Sequence, residues 1–305
     1  MIHRVDDLDI RIFREVANPS IPHGGVMETY TEIAAIVGVD KETVRRRLRR
    51  IESMDSSPKW KIMINPYVIE FKAVNVLLRV GDETEKTDVI AELTRIDGIV
   101  KILNFRGRTI LLSLYYRDAN SLNKKIEAMS SICNCQKPIV WELIFPEPQI
   151  RMTRIDWKII GFIFEDVRKS IKSISESVGI SVRTVERRLN KINEEHVLYL
   201  QGTPNLRLLA GVSCVFIVFC EDKRDKQFVD NTILQTAKRI KLANTSSRQY
   251  STFTARFDNL AEADDLTDWI GGLKGVQSVS MNIIKELFVV REWLQNEVAR
   301  HLPAR

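Results

Sequence analysis

Residues 37–51 and 178–192 are two versions of one segment. Val37-Gly-Val-Asp-Lys-Glu-Thr-Val-Arg-Arg-Arg-Leu-Arg-Arg-Ile51 aligns with Val178-Gly-Ile-Ser-Val-Arg-Thr-Val-Glu-Arg-Arg-Leu-Asn-Lys-Ile192 at an offset of 141, with eight of fifteen positions identical. Upstream, Leu8-Asp-Ile-Arg-Ile-Phe13 matches Ile155-Asp-Trp-Lys-Ile-Ile160 at an offset of 147. The six extra residues of the first copy fall in Asn18-Pro-Ser-Ile-Pro-His-Gly-Gly25, where proline and glycine mark a loop insertion between helices. A self-match at this distance means one architecture written twice. The join lies near Pro146–Thr153, where Pro146 and Pro148 disfavour helix and suit a stiff connector.

Each copy opens with a pattern of three short helices, expected at 7–17, 30–37 and 41–53 and again at 155–166, 170–178 and 182–194. Between the second and third, Gly38 or Gly179 suits a left-handed helix stop, and Asp40 or Ser181 supplies an oxygen to cap the next helix. This is the grammar of a helix-turn-helix. Trp60–Pro66 and Val197–Gln201 read as wing strands. The rest of each copy reads β-α-β-β-α-β. Strands are expected near 73–80, 99–105, 109–116 and 139–145, then 212–220, 241–247, 250–257 and 276–284. The intervening helices fall near 85–95, 119–130, 225–239 and 260–271. That order is a ferredoxin-like split βαβ. A last helix near 285–300, striped by Leu287, Val290, Trp293, Leu294 and Val298, has no counterpart in the first copy. The expected fold class is α+β, two tandem copies of a winged helix-turn-helix domain followed by a ferredoxin-like domain. Boundaries are expected at 1–66, 67–148, 149–205 and 206–305.

Composition narrows the function classes. With 44% hydrophobic and 28% charged residues, the chain of 305 reads as a globular protein. No apolar run approaches the roughly 20 residues of a membrane span, and Met1–Asp9 lacks the apolar centre of a signal peptide. Four cysteines do not make a disulfide scaffold, so a reducing cytoplasm is expected. Cys133 and Cys135 lack the spacing and the second ligand pair of a zinc site. No phosphate loop, H-E-x-x-H or nucleophile elbow is present. Gly271-Gly-Leu-Lys-Gly275 reads as a helix stop, and one of Tyr115 and Tyr116 is expected to face the core and the other outward. No catalytic residue, metal site or cofactor is expected.

The excess of 46 Lys and Arg over 40 Asp and Glu is modest, +6, but its placement is not even. Residues 41–52 hold six basic and two acidic side chains. Steps of 100° put Val44, Leu48 and Ile51 on one face. Arg46 and Arg49 then point away from it, Arg45 and Arg50 flank them, and Arg47 lies at the core margin. Such a helix can enter a major groove, its guanidinium groups reading guanine edges while flanking cations meet phosphates. The expected DNA-contacting set is Lys41, Thr43, Arg45, Arg46, Arg49 and Arg50, with a weaker set of Arg183, Thr184, Arg187, Asn190 and Lys191. In the second copy Glu186 replaces Arg45 and Asn190 replaces Arg49, so two unequal readers are expected. Arg168, Lys169 and Lys172 favour backbone contact.

The aspartates after Leu8 and Ile155, and the run Ile174–Ile192, resemble the Lrp/AsnC family of feast/famine transcription regulators. The resemblance implies a helix-turn-helix joined to a ligand-sensing and dimerising α+β domain. It implies double-stranded DNA as partner, and a homodimer or an intrachain pseudo-dimer. The hairpins that would lie beside an effector read Phe105-Arg-Gly-Arg-Thr109 and Thr245-Ser-Ser-Arg-Gln-Tyr250, without the family's aspartate. Arg106, Arg108 and Arg248 there would suit an anion at least as well as an amino acid. The tandem layout is also similar to the fused sirohaem decarboxylases, which place histidine and arginine around the second and third strands. The histidines here, His3, His23, His196 and His301, are not on those strands. The expectation is a sequence-specific DNA-binding transcription regulator and not an enzyme. A tetrapyrrole enzyme of that type, or a sensor or assembly scaffold without DNA binding, is the alternative.

Overall fold

The computed structural model describes residues 6, 8–9, 11–12, 30–52, 59–135, 137–167, 169–203, 211–236, 241–244 and 247–302. The chain divides into two compact units. One gathers Met1–Glu70, Pro146–Leu208 and Arg291–Arg305, and the other gathers Phe71–Phe145 and Leu209–Val290.

In the first unit, α1 (Tyr30–Val37) and α2 (Lys41–Glu52) form one helix pair, preceded by helical residues at Leu8–Asp9 and Arg11–Ile12. The rest of the expected 7–17 helix and the 18–25 insertion lie outside the described residues. Ile12, Ile33, Val37, Val44 and Leu48 bury together as the core of this pair. The second trio is α5 (Arg154–Glu165), α6 (Ile171–Val178) and α7 (Val182–Glu194). Its apolar stripe, including Ile159, Ile160, Val185, Leu189 and Ile192, is almost wholly buried. Thr153 opens α5 with a capping box, its side chain and that of Asp156 each bonding the other's backbone N–H.

The two strands read as wings, β1 (Lys59–Ile64) and β6 (Leu198–Thr203), do not each complete a separate wing. They pair with each other, antiparallel, from Lys59 opposite Thr203 to Ile64 opposite Leu198. A lone strand leaves its backbone groups unpaired, and each supplies the partner the other lacks. Buried Asn65 ties this ribbon to the connector, its Nδ2 donating to the carbonyls of Pro146 (2.8 Å) and His196 (3.1 Å).

The second unit is an eight-stranded sheet. Its strands are β2 (Lys72–Arg79), β3 (Ile99–Phe105), β4 (Thr109–Tyr116), β5 (Ile139–Leu143), β7 (Val212–Cys220), β8 (Lys241–Asn244), β9 (Tyr250–Phe257) and β10 (Val276–Val289). The order β5-β2-β4-β3-β10-β7-β9-β8 is two four-stranded blocks, each with the strand order of a ferredoxin-like fold, fused along β3 and β10. The N-terminal block carries α3 (Lys86–Leu93) and α4 (Ala119–Cys133). The C-terminal block carries α8 (Lys223–Thr236) and α9 (Leu260–Gly271), whose stop at Gly271 matches the glycine cluster.

The fusion explains the largest departure from expectation. The last strand does not stop at 284, and the last helix, α10, spans Glu292–His301 rather than 285–300. β10 pairs with β7 from Val276 to Ile283 and then with β3 from Ile284 opposite Phe105 to Val289 opposite Lys101, with a register shift inside this second pairing between Ile284 and Glu286. Leu287 therefore alternates with Phe288 in a sheet, and only Trp293, Leu294 and Val298 of the expected stripe lie on the helix.

Both faces of this sheet are covered. On one, Val76, Leu112 and Phe216 lie in cores under the four helices. On the other, Leu103, Phe105, Leu111, Trp141, Val215 and Ile217 meet in one cluster, and Trp141 of β5 stacks on Tyr250 of β9 at 4.7 Å between ring centroids. These rings come from β5, the first strand of the order, and β9, the next to last. Tyr115 does not face outward as one of its pair was expected to; its ring meets that of Phe145 edge-on at 6.5 Å between centroids. Tyr115 and Tyr116 are both buried, on opposite faces.

Candidate nucleic-acid interface

The two helix turns are built from the same bonds at equivalent positions. Gly38 and Gly179 both take φ of +75°, and each donates its N–H at 2.9 Å to the carbonyl four residues back, Ala34 or Ser175. Val39 and Ile180 donate to those same carbonyls. The left-handed conformation is the reason for glycine, since a β-carbon would meet no atom there but would strain the backbone. Asp40 then accepts from the Thr43 N–H at 2.8 Å, and Ser181 accepts from that of Thr184 at 3.2 Å. Exposed, hydrogen-bonded Asp40 is held below the usual carboxylate range, first by the Thr43 hydroxyl.

These caps engage two of the expected reading residues. The Thr43 hydroxyl donates to Asp40 at 2.6 Å, and the Thr184 hydroxyl lies 2.9 Å from that of Ser181. On α2, Lys41, Arg46 and Arg49 stand exposed, opposite buried Val44 and Leu48. Arg45 is half-exposed and pairs with Glu42 at 2.7 Å. On α7, Arg183, Arg187, Asn190 and Lys191 stand exposed, opposite buried Val185, Leu189 and Ile192. The common exposed surface is therefore Lys41, Arg46 and Arg49 on one helix and Arg183, Arg187, Asn190 and Lys191 on the other.

Arg50 has a different setting. It bonds the Asp9 carboxylate, and Arg47 bonds Asp6 and, at 3.2 Å, Asp9. Asp9 is fully buried, so α2 anchors the helical turn before it through a desolvated carboxylate held by two guanidinium groups. Arg188 and fully buried Asp156 make the equivalent contact in the second trio at 3.3 Å. Sequence reasoning placed Arg47 at the core margin but missed its partner. The signal was present in the aspartates of the Leu-Asp and Ile-Asp matches. Lys169 pairs with Glu165 at 3.6 Å, and Arg168 lies outside the described residues.

The expected effector arginines separate. Arg106 and Arg108, on the β3–β4 hairpin, line a cavity of about 800 Å³, together with Arg79, Asp82, Glu83 and Asn282. Arg248, at the β8–β9 hairpin, is exposed and is not among the lining residues. Arg79, at the end of β2, was not singled out from sequence, because nothing in a strand pattern says that its last residue turns toward a hairpin.

Other candidates resolve simply. Cys133, Cys214 and Cys220 are free and buried, and burial pushes their thiols up to about 12, 11 and 11. That environment suppresses the thiolate. His196 is exposed with φ of +52°, His301 stacks on Trp157 at 4.4 Å, and His3 and His23 lie outside the described residues. Among the described residues no helix is long and apolar enough to cross a membrane.

The model of the AsnC-type helix-turn-helix domain matches residues 152–192, which span α5, α6 and α7. A curated relative, the HTH-type transcriptional regulator Ptr1 of Methanocaldococcus jannaschii, is 23% identical over 141 residues, covering 45% of this chain and 91% of the relative. Among solved structures, the siroheme decarboxylase NirDL is similar over 97% of this chain and 98% of its own, with a TM-score of 0.58 and 12% identity. Its co-complex with an iron-uroporphyrin III analogue gives 0.55 and 11% over the same shares. At such identities the likeness is one of fold. The helix-turn-helix match and the curated regulator support DNA-binding transcription regulation, and residues 152–192 carry an AsnC-type helix-turn-helix domain.

Proposed function

We propose that the protein is a sequence-specific regulator that reads double-stranded DNA through α2 and α7, two helix-turn-helix units duplicated in tandem. The observation that carries this reading is the repeated turn geometry. Two glycine stops, two side-chain caps and two aspartate–arginine anchors fix helices whose exposed faces carry Arg46 and Arg49, or Arg187 and Asn190. Rigid presentation of arginine and asparagine is what base-edge recognition requires, since bidentate contacts tolerate little misalignment. The surface of α2 is the more cationic, and α7 replaces its Arg45 with Glu186, so the two heads would contact unequal half-sites. The pairing of β1 with β6 and of β3 with β10 supports an intrachain pseudo-dimer.

Binding-site selection from random duplexes tests this directly. An enriched motif with two dissimilar half-sites supports it, and no enrichment over several rounds refutes it. The whole-chain likeness of fold to a decarboxylase favours one second reading, a tetrapyrrole-handling enzyme. Against that reading, neither described histidine lies on a strand of the eight-stranded sheet, and both are in the other unit. Titration with sirohaem, followed in the Soret region, separates the two. A saturable shift with turnover would favour the enzyme.

A further inference from the structure

Granted the reading of DNA through α2 and α7, we infer which bases set the two half-sites apart. Under α7 an adenine stands where α2 takes a guanine, and a thymine methyl group is met where α2 offers only a cation to phosphate. The burial patterns of the two helices superimpose at the offset of 141. Val44 and Leu48 are buried where Val185 and Leu189 are, and Arg46 and Arg49 are exposed where Arg187 and Asn190 are. The turns before them also match, since Gly38 and Gly179 share a φ of +75° and Asp40 and Ser181 each accept from the N–H three residues on. Aligned positions therefore meet a groove in the same way, and the side chains alone make the difference.

Most aligned pairs do not discriminate. Arg47 and Arg188 are held by Asp9 and Asp156, and the hydroxyls of Thr43 and Thr184 are engaged with the caps. Arg46 and Arg187 are the same residue and supply a common contact. Glu42 and Arg45, paired at 2.7 Å, become Arg183 and Glu186, one charge of each sign on either helix. Two positions remain. At the first, Asn190 replaces Arg49, and neither side chain has a hydrogen-bond or ion-pair partner among the described residues. A guanidinium presents parallel donors, which match O6 and N7 of guanine. A carboxamide presents one donor and one acceptor, which match N7 and N6 of adenine. At the second, Val182 replaces Lys41 as the first residue of its helix, and it is 41% exposed. The N-terminal residues of a recognition helix are those that reach base edges. An apolar side chain there has the C5 methyl group of thymine to recognise, and contact with it removes valine surface from water.

The test is binding-site selection from random duplexes by the full chain as wild type, N190R and R49N, followed by anisotropy on the wild-type duplex. Wild type should enrich two half-sites that differ by guanine against adenine at one position. N190R should turn that adenine into guanine and leave the other half-site as it was. R49N should turn the guanine of the other half-site into adenine. On the wild-type duplex each substitution should weaken binding roughly tenfold. Uracil in place of thymine removes only the C5 methyl groups, so it should weaken wild type several-fold while V182S binds both duplexes alike. Motifs from N190R and R49N identical to that of wild type would overturn the inference and leave the reading of DNA intact. Equal affinities of wild type for the thymine and uracil duplexes would do the same for the contact of Val182. Failure of wild type to enrich any motif would overturn that reading, and this inference with it.

Discussion

Asp9 and Asp156 show how one residue decides what its neighbours can do. Each is fully buried, Asp9 holding Arg47 and Arg50 of α2 and Asp156 holding Arg188 of α7. Asp156→Asn should cost about 1–3 kcal/mol, because Arg188 loses its charge partner and the Thr153 cap is weakened. A lowered urea midpoint at unchanged m-value would show it, and an unchanged midpoint would contradict the anchor. Asp6 gives a pH-dependent counterpart. Its hydrogen bond with Arg47 holds it below 3.8, so its contribution to stability is complete above that value and is lost as pH falls through the lowered one. Melts of wild type and Asp6→Asn should therefore differ near pH 6, and the difference should shrink as pH falls below 3.8. At this scale the sequence was legible where periodicity spoke. Val44 and Leu48 are buried and Arg46 and Arg49 exposed, as 100° steps require. The partners of Arg47 and Arg50 left only an indirect signal, an aspartate recurring in both copies, because Asp9 lies 38 and 41 residues away from them.

Elements were legible to the extent that their signals were local. The strands at 99–105, 109–116, 212–220 and 250–257 and the helices at 30–37, 182–194 and 260–271 fall at the residues where β-branched runs, caps and glycine stops placed them. The end of β10 was misread because Leu287, Val290, Leu294 and Val298 satisfy a helical spacing, while the partner that makes 284–289 a strand, β3, lies far away in sequence. What remains of the helix, α10, packs on α5. Leu302 lies against Gly161, His301 stacks on Trp157 and Arg291 donates to the Phe164 carbonyl. No such brace is described for the N-terminal helix pair. Leu294 is fully buried, so Leu294→Ala should cost about 2–5 kcal/mol. Hydrogen exchange should locate the loss in α10 and α5, with α2 still protected. Equal loss of protection in α2 would contradict a brace particular to the second trio.

At the scale of the whole molecule, the repeat read from residues 37–51 and 178–192 becomes a pairing of the two halves at β1 with β6 and at β3 with β10. The internal sequence repeat was legible; which edges join was not, since edge strands look alike until paired. Residues 1–148 and 149–305 produced separately should each expose an unpaired β3 or β10 edge, and so should associate one-to-one when mixed. Light scattering showing two stable, non-interacting monomers would contradict that pairing. The central claim concerns the exposed faces of α2 and α7. Its most direct test is fluorescence anisotropy of the full chain on a selected duplex across a salt series, with wild type, R46A/R49A and R183A/R187A. The account predicts that wild-type affinity falls steeply with salt. It predicts that R46A/R49A loses about 1–3 kcal/mol for each base contact removed, and R183A/R187A a smaller amount. Equal affinities for wild type and R46A/R49A, or binding indifferent to salt, would contradict it.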